Sequence, residues 1–328
     1  MEKSKVYFVK LNEIAKINNL LPDLEQPVGV KVHFGEEGNE TYLSPKYARE
    51  VTQMVPNPAL IETNTLYKGP RTQASTHKQL AKDHGFDFAP VDILDGEYGE
   101  ENKTVEINGK HFQECHIGQG ADKYNSLLVV SHFKGHILTK FGGAIKNLGM
   151  GLAARPGKLA QHASIKHQIN QEKCTGCKTC VKNCPAEAIS IEESGKAIID
   201  QEKCIGCVKC VAVCPENAVK LPIKSVDSEM IQERMAEYAF AGAKNRQIYY
   251  INFLVNITEE CDCHGAKMTP LTEDIGILAS NDPVAIDQAS YDLTLKQEPA
   301  FENHNGDIQL ARAEKMGLGT REYILKYI

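Results

Sequence analysis

INQEKCTGCKTCVKNCPAEAISI (169–191) recurs, thirty residues on, as IDQEKCIGCVKCVAVCPENAVKL (199–221). Each copy reads C-x2-C-x2-C-x3-C-P, a spacing at which three thiolates can reach three irons of one 4Fe-4S cube from a tight loop. The fourth cysteine lies too far along the chain for that cube and, in the two-cluster pattern, ligates the other one. The expected sets are therefore Cys174, Cys177, Cys180 and Cys214 for one cluster, and Cys204, Cys207, Cys210 and Cys184 for the second. Pro185 and Pro215 fix the chain direction just after each exchanged ligand. C-x2-C is also a zinc spacing, and two such pairs would satisfy one tetrahedral ion. Zinc leaves unexplained the third and fourth cysteines, which recur at identical spacing in both copies, so two 4Fe-4S clusters are the preferred reading.

Outward from this repeat the pattern changes. The duplicated segment, 165–222, reads as a small α+β ferredoxin-like module inserted in an α/β body made of 1–164 and 223–328. On the N-terminal side, VGVKVHF (28–34) alternates at period two as a half-buried strand does. Ser44-Pro45 supplies an N-cap and a first-turn proline ahead of Tyr47, Ala48, Val51 and Val55 at helical spacing. Leu60 to Thr63 and Leu127 to Ser131 read as further strands, and 72–84 as a helix closed by Gly85. On the C-terminal side, 229–241 reads as a helix. Ile251, Phe253, Val255 and Ile257 mark one strand face, and Asp282-Pro283 opens a helix after the apolar run Ile275 to Ala279. Strands alternating with helices predict an α/β sheet.

Composition narrows the function classes. With 42% hydrophobic and 24% charged residues in 328, the chain reads as an ordinary globular protein. A formal charge of -6 without a Lys/Arg cluster argues against nucleic acid as a partner. MEKSKVYFVKLNEI at the start lacks a secretory apolar core, and no run of about 18 apolar residues offers a membrane span, so a cytoplasmic protein is expected. Eleven cysteines in that setting point to metal ligation or redox chemistry rather than structural disulfides.

Two further stretches carry chemistry. SHFKGHILTKFGGAIKNLGMG (131–151) follows an apolar strand and combines His132, Lys134, His136, Lys140 and Lys146 with glycines. A strand end followed by a glycine-rich turn is where α/β proteins place ligands, and Gly142-Gly143 would let backbone amides approach an anion. The alternative is a packed turn with structurally bonded histidines. Cys261-Asp262-Cys263-His264 follows a strand, where a curled loop could bring two thiolates and an imidazole to a metal; the plainer alternative is a surface loop with two reduced thiols. Cys115 reads as a small buried hydrophobe. Gly151 to Lys158 does not fit a phosphate loop, having one residue too many and Leu159 where Ser or Thr is needed.

At VKVHFGEEGN (30–39), ETNTLYKG (62–69), 131–151, the cysteine repeat, CDCHG (261–265) and DIGILASNDPVAIDQA (274–289), the chain resembles the prokaryotic iron-sulfur proteins called domain of unknown function 362. That resemblance implies a body carrying a ferredoxin insert and supplies no activity. Over about thirty residues the chain also resembles the nickel-pincer lactate racemases. His136, Lys146 ten residues later and His162 sixteen after that keep that family's intervals, with Gly142-Gly143 shifted by one position. The likeness implies that Lys146 would hold a pincer cofactor, His162 would ligate nickel and His136 would act as a proton-transfer base. That family's upstream His-Arg pair has no match near Lys68 to Arg71.

The expected function is an oxidoreductase in which two 4Fe-4S clusters exchange electrons with a substrate or metal site in the body. His136, Lys146 and His162 are its candidate catalytic residues, Gly142 and Gly143 its cofactor-binding glycines, and Cys261 and Cys263 ligands for an additional metal. Its partner would be a redox protein or a small-molecule substrate, with neither nucleic acid nor a membrane involved. Two alternatives stand beside it: an electron carrier whose body only docks partners, and a racemase- or isomerase-like enzyme with structural clusters. The body is several times larger than a carrier needs and carries clustered ionisable groups, which favours the enzyme.

Overall fold

A computed structural model of the chain describes residues 3–162, 167–204, 206–207, 209–220 and 226–328. The expected junctions of the cysteine segment with the rest, near 165 and 222, lie outside the described residues. Among the described residues, no helix is long and apolar enough to cross a membrane.

The architecture is mixed α/β, built on one eight-stranded sheet. Its order is Tyr323–Tyr327, Ser4–Val9, Gly276–Ser280, Gln247–Leu254, Ser126–His132, Val28–Lys31, Ala59–Glu62 and Val91–Ile93. Five of the seven strand pairings are parallel; Gly276–Ser280 alone runs against both its neighbours. Strands from before and after the cysteine repeat share this sheet, Ser126–His132 pairing directly with Gln247–Leu254.

Helices cover both faces. Leu127 and Val129 point into a core with the helices Ala144–Gly149, Ser228–Ala243 and Pro283–Gln297. Leu128 and Val130 point into a second core with Pro45–Thr52 and Ala74–Asp83. This double cover corrects the half-buried strand expected at 28–34. The strand is Val28–Lys31 and all four residues are buried, because a parallel sheet covered on both sides has no wet face. Lys31, the polar residue of the alternation, is therefore inside. The strand expected through Ile257 ends at Leu254, with Val255 and Ile257 still buried beyond it.

Local caps place the helices, and all but the one at Asp227 are legible in the sequence. The Ser44 side chain accepts from the Lys46 amide, with Pro45 in the first turn. Asp282 accepts from the amides of Val284 and Ala285. Asp227 caps Ser228–Ala243 by accepting from Met230, and Gly85 takes φ +85 just past Ala74–Asp83.

The two copies of the cysteine repeat fold alike. One contributes the short helix Thr179–Lys182 and the other Lys209–Val213. Ile189–Ile191 pairs with Ala197–Ile199, and Gln168–Ile169 pairs with Val219–Lys220. Gly176 and Gly206 share φ near +70, as do Glu187 and Asn217 near +50, so equivalent turns recur at the thirty-residue offset.

Candidate functional site

In the parallel part of the sheet the chain proceeds from Val28–Lys31 toward one edge and from Ser126–His132 in the other direction, so a crevice opens between these two strands at their C-terminal ends. Asn147 spans the split: its amide donates to the carbonyl of Val130 and to Ser131 Oγ, and its Oδ1 accepts from Lys31 Nζ at 2.8 Å. The cleft beyond holds about 1000 Å³ of empty space, its open mouth included. His136, Lys146, His162, Gly142, Gly143 and Cys263 all line it. The two loops singled out in the sequence thus meet in one site.

Residues at strand ends and in the adjoining loops and helix supply its charge, among them Lys31, Glu36, Glu62 and Arg71, which sequence reasoning had not singled out. Lys31 Nζ lies 3.0 Å from Glu62 Oε1, and Arg71 lies 3.4 Å from Glu62 and 3.5 Å from Glu36. His132 Nδ1 is 2.9 Å and Lys134 Nζ 2.6 Å from Asp262. Lys158 Nζ donates to Thr63 Oγ1 and to the carbonyl of Asn64. Burial opposes the Asp262 charge, but His132 and Lys134 outweigh it and hold the carboxyl well below the usual range. Burial and then the neighbouring Lys134 bring Lys146 down to about 7. Burial, followed by Lys146, lowers His162 to about 4 and holds His136 well below its ordinary value. Both histidines are therefore neutral near pH 7, and Lys146 is close to half-protonated.

His136 differs from the role that the racemase likeness implies. Its Nδ1 accepts from the amides of Leu138 and Thr139, both at 3.0 Å. The neutral ring then carries its proton on Nε2, so it offers the cleft a donor rather than a base. Gly142 and Gly143 line the cleft, while the two amides after them are engaged elsewhere. The amides of Ala144 and Ile145, which follow Gly142-Gly143, are already bound by the Asp287 carboxylate at 2.7 and 2.9 Å, and burial raises that carboxyl to about 6. Those amides do not face an external anion. Gly143 is required because a Cβ there would strike the Asp287 carboxylate.

Cys261 and Cys263 are joined in a disulfide. His136 and the two sulfurs offer donor atoms within 4.8 Å of one another. Ligation of a metal by both thiolates would require that bond to be reduced. His264, the expected imidazole of this loop, is exposed and paired with Glu260, leaving His136 beside the sulfurs instead. Cys115 is fully buried in the core, as expected.

The eight repeat cysteines are all outside disulfides. They gather into two groups. Cys174, Cys177, Cys180 and Cys214 line one cavity with about 340 Å³ of empty space, and Cys184, Cys204, Cys207 and Cys210 line another with about 310 Å³, open solvent included in both. In each, one cysteine comes from the opposite copy of the repeat. Sulfurs at their walls accept backbone amides: Ala197 donates to Cys174, Ala188 to Cys184 and Ala218 to Cys214. The second cavity abuts the body. Val211, next to Cys210, packs on Leu66 and Leu159, and Lys209 pairs with Glu100 at 3.3 Å while lying over the Tyr98 ring.

Among solved structures, the chain is similar to the lactate racemase apoprotein from Thermoanaerobacterium thermosaccharolyticum. Identity is 13% and the TM-score 0.36, covering 77% of this chain and 51% of that one. It is also similar to a Thermotoga maritima protein from a structural genomics programme, at 9% identity and a TM-score of 0.41, covering 93% of this chain and 59% of that one. The chain thus spans between half and three-fifths of the length of these structures. No curated protein matches it. The family profile that matches covers residues 28–292, and the chain belongs to the family described as Domain of unknown function (DUF362).

Proposed function

We propose that this protein is an iron-sulfur oxidoreductase whose two cysteine-lined cavities hold 4Fe-4S clusters and whose body cleft binds the substrate. The observation that carries the reading is the partition of the eight cysteines into two groups of four, three from one copy of the repeat and one from the other. The donor chemistry fits the group: four sulfurs line each cavity, and backbone amides aimed at sulfur are the hydrogen bonds that tune such clusters. When bound, the clusters would supply single electrons.

The protein's own residues would do the rest. Cys177 is exposed, so the cavity it lines is the natural contact for a redox partner, while the Cys184 cavity lies against the body through Val211, Leu66 and Leu159. In the cleft, Lys146 is poised to exchange a proton near neutrality and His136 donates from Nε2. His136→Gln or Lys146→Met should abolish turnover of a cleft substrate while leaving cluster absorbance intact. Unchanged electron exchange in both variants would favour the carrier reading.

One observation favours a second reading. Lys146 and His162 line the same cleft, where a racemase- or isomerase-like enzyme with a pincer-type nickel cofactor would use them to hold it. Iron as the sole metal in anaerobically purified protein, with no added mass on Lys146, would remove that reading.

A further inference from the structure

The disulfide between Cys261 and Cys263 sits at a place where a structural crosslink has little to do. The two cysteines are separated by one residue, so the bond closes almost no chain and restricts the unfolded state little. Their loop is already pinned by Asp262, which holds Lys134 at 2.6 Å and His132 at 2.9 Å. Cys263 lines the cleft and Cys261 is buried behind it. His136, with its proton on Nε2, stands within 4.8 Å of both sulfurs. A packed path joins this pair to the nearer cysteine-lined cavity: Cys210 precedes Val211, Val211 packs on Leu66, and the hydroxyl of the next residue, Tyr67, donates to the carbonyl of Cys263 at 3.5 Å.

We propose that Cys261 and Cys263 form a redox-active pair that stores two electrons at the cleft wall. The inference rests on the cluster reading above. The disulfide takes up two electrons, one from each of the two reduced iron-sulfur clusters, and two protons; the S–S bond breaks and two thiols result. Neutral His136 can hydrogen-bond the first thiolate released through its Nε2–H, and the two protons come from solvent through the open cleft. Cys263, the sulfur on the cleft side, is the one a substrate reaches. One-electron carriers are thereby matched to two-electron chemistry in the cleft, and the chain needs no further cofactor for that conversion.

The test uses the whole protein with its clusters, handled without oxygen. It is titrated with dithionite, quenched with iodoacetamide and digested, and the peptide bearing both cysteines is weighed. The expected result is an unlabelled pair before reduction and a doubly alkylated pair once the cluster absorbance has bleached. Cys263→Ser should bleach normally while consuming two fewer electron equivalents. Three results would overturn the proposal. The pair could stay unlabelled after full bleaching, which defeats this inference alone. Both thiols could be labelled before any reductant is added, which would show no disulfide to reduce, or labelled only after a chelator is added, which would make them metal ligands. Protein that holds no iron would defeat the cluster reading and this one with it.

Discussion

Glu62 ends its strand between two buried cations, and replacing it with glutamine tests whether the cleft's charge network holds as described. The side chains of Lys31, Glu62 and Arg71 are 0%, 2% and 4% exposed, so none can recruit bulk water when a partner is lost. In Glu62→Gln, Arg71 keeps Glu36, whereas Lys31 keeps only neutral acceptors, Asn147 Oδ1 and the carbonyl of Val32. Removing one partner of a buried pair costs about 3–5 kcal/mol. Burial already pulls Lys31 below its ordinary value, so it can shed its proton in the variant, which puts the expected loss near the low end, about 3 kcal/mol at pH 7. With an unfolding entropy of roughly 2.1 cal/mol/K per residue over a chain of this size, that is a fall in Tm of about 4 °C. The loss should be larger at pH 6 than at pH 9, because the cost exists only while Lys31 is charged and is relieved as it deprotonates. Urea denaturation followed by circular dichroism at both pH values measures it, and Lys31→Met in the same chain should restore part of the stability. A loss below about 1 kcal/mol, or one indifferent to pH, would refute the network as drawn.

Other expectations follow from single residues. An amine-reactive label should modify Lys146 with a half-maximal rate near pH 7, whereas surface lysines follow their ordinary value near 10.4; a Lys146 profile like that of the surface lysines would contradict its burial. Between about pH 7 and 10.5 the folded state holds less proton on Lys146 than the unfolded chain, so stability should rise with pH across that window, and Lys146→Met should flatten the rise. Gly176→Ala forces a side chain onto φ +71 and against the Gly195 carbonyl. It should cost more than about 1 kcal/mol and lower the iron retained after gel filtration, and an unchanged iron ratio would count against the turn's role. Asp287→Ala strips the acceptor from two helix amides and should cost about 2 kcal/mol in urea denaturation, with the helix Ala144–Gly149 exchanging amide hydrogen faster.

Much of the fold was legible because its signals are local. Ser44-Pro45 and Asp282-Pro283 cap the helices they announce, and the apolar run at 127–130 forms a central strand. What period-two alternation at 28–34 concealed was depth: Lys31 occupies a polar position that is buried, since the second face is covered by helices far away in sequence. The cysteine grouping was legible because its spacing repeats. The cleft was legible in part. His136, Lys146, His162 and Cys263 line it, but Glu62, Arg71, Lys31 and Asp287 were not singled out, because the partners through which each acts lie from nine to 143 residues away. ETNTLYKG and VKVHFGEEGN, noticed only as stretches of resemblance, held the signal: charged residues at the ends of strands. Nor could the closing of the Ala144 and Ile145 amides, just after Gly142-Gly143, be read locally, since Asp287 does it from 143 residues away.

Iron and acid-labile sulfide, measured together with the electron paramagnetic resonance of dithionite-reduced protein purified or reconstituted without oxygen, test the central claim most directly. The account predicts about eight irons and eight sulfides per chain, with a spectrum broadened by two interacting reduced clusters. Zinc in place of iron, with no reducible chromophore, would contradict it.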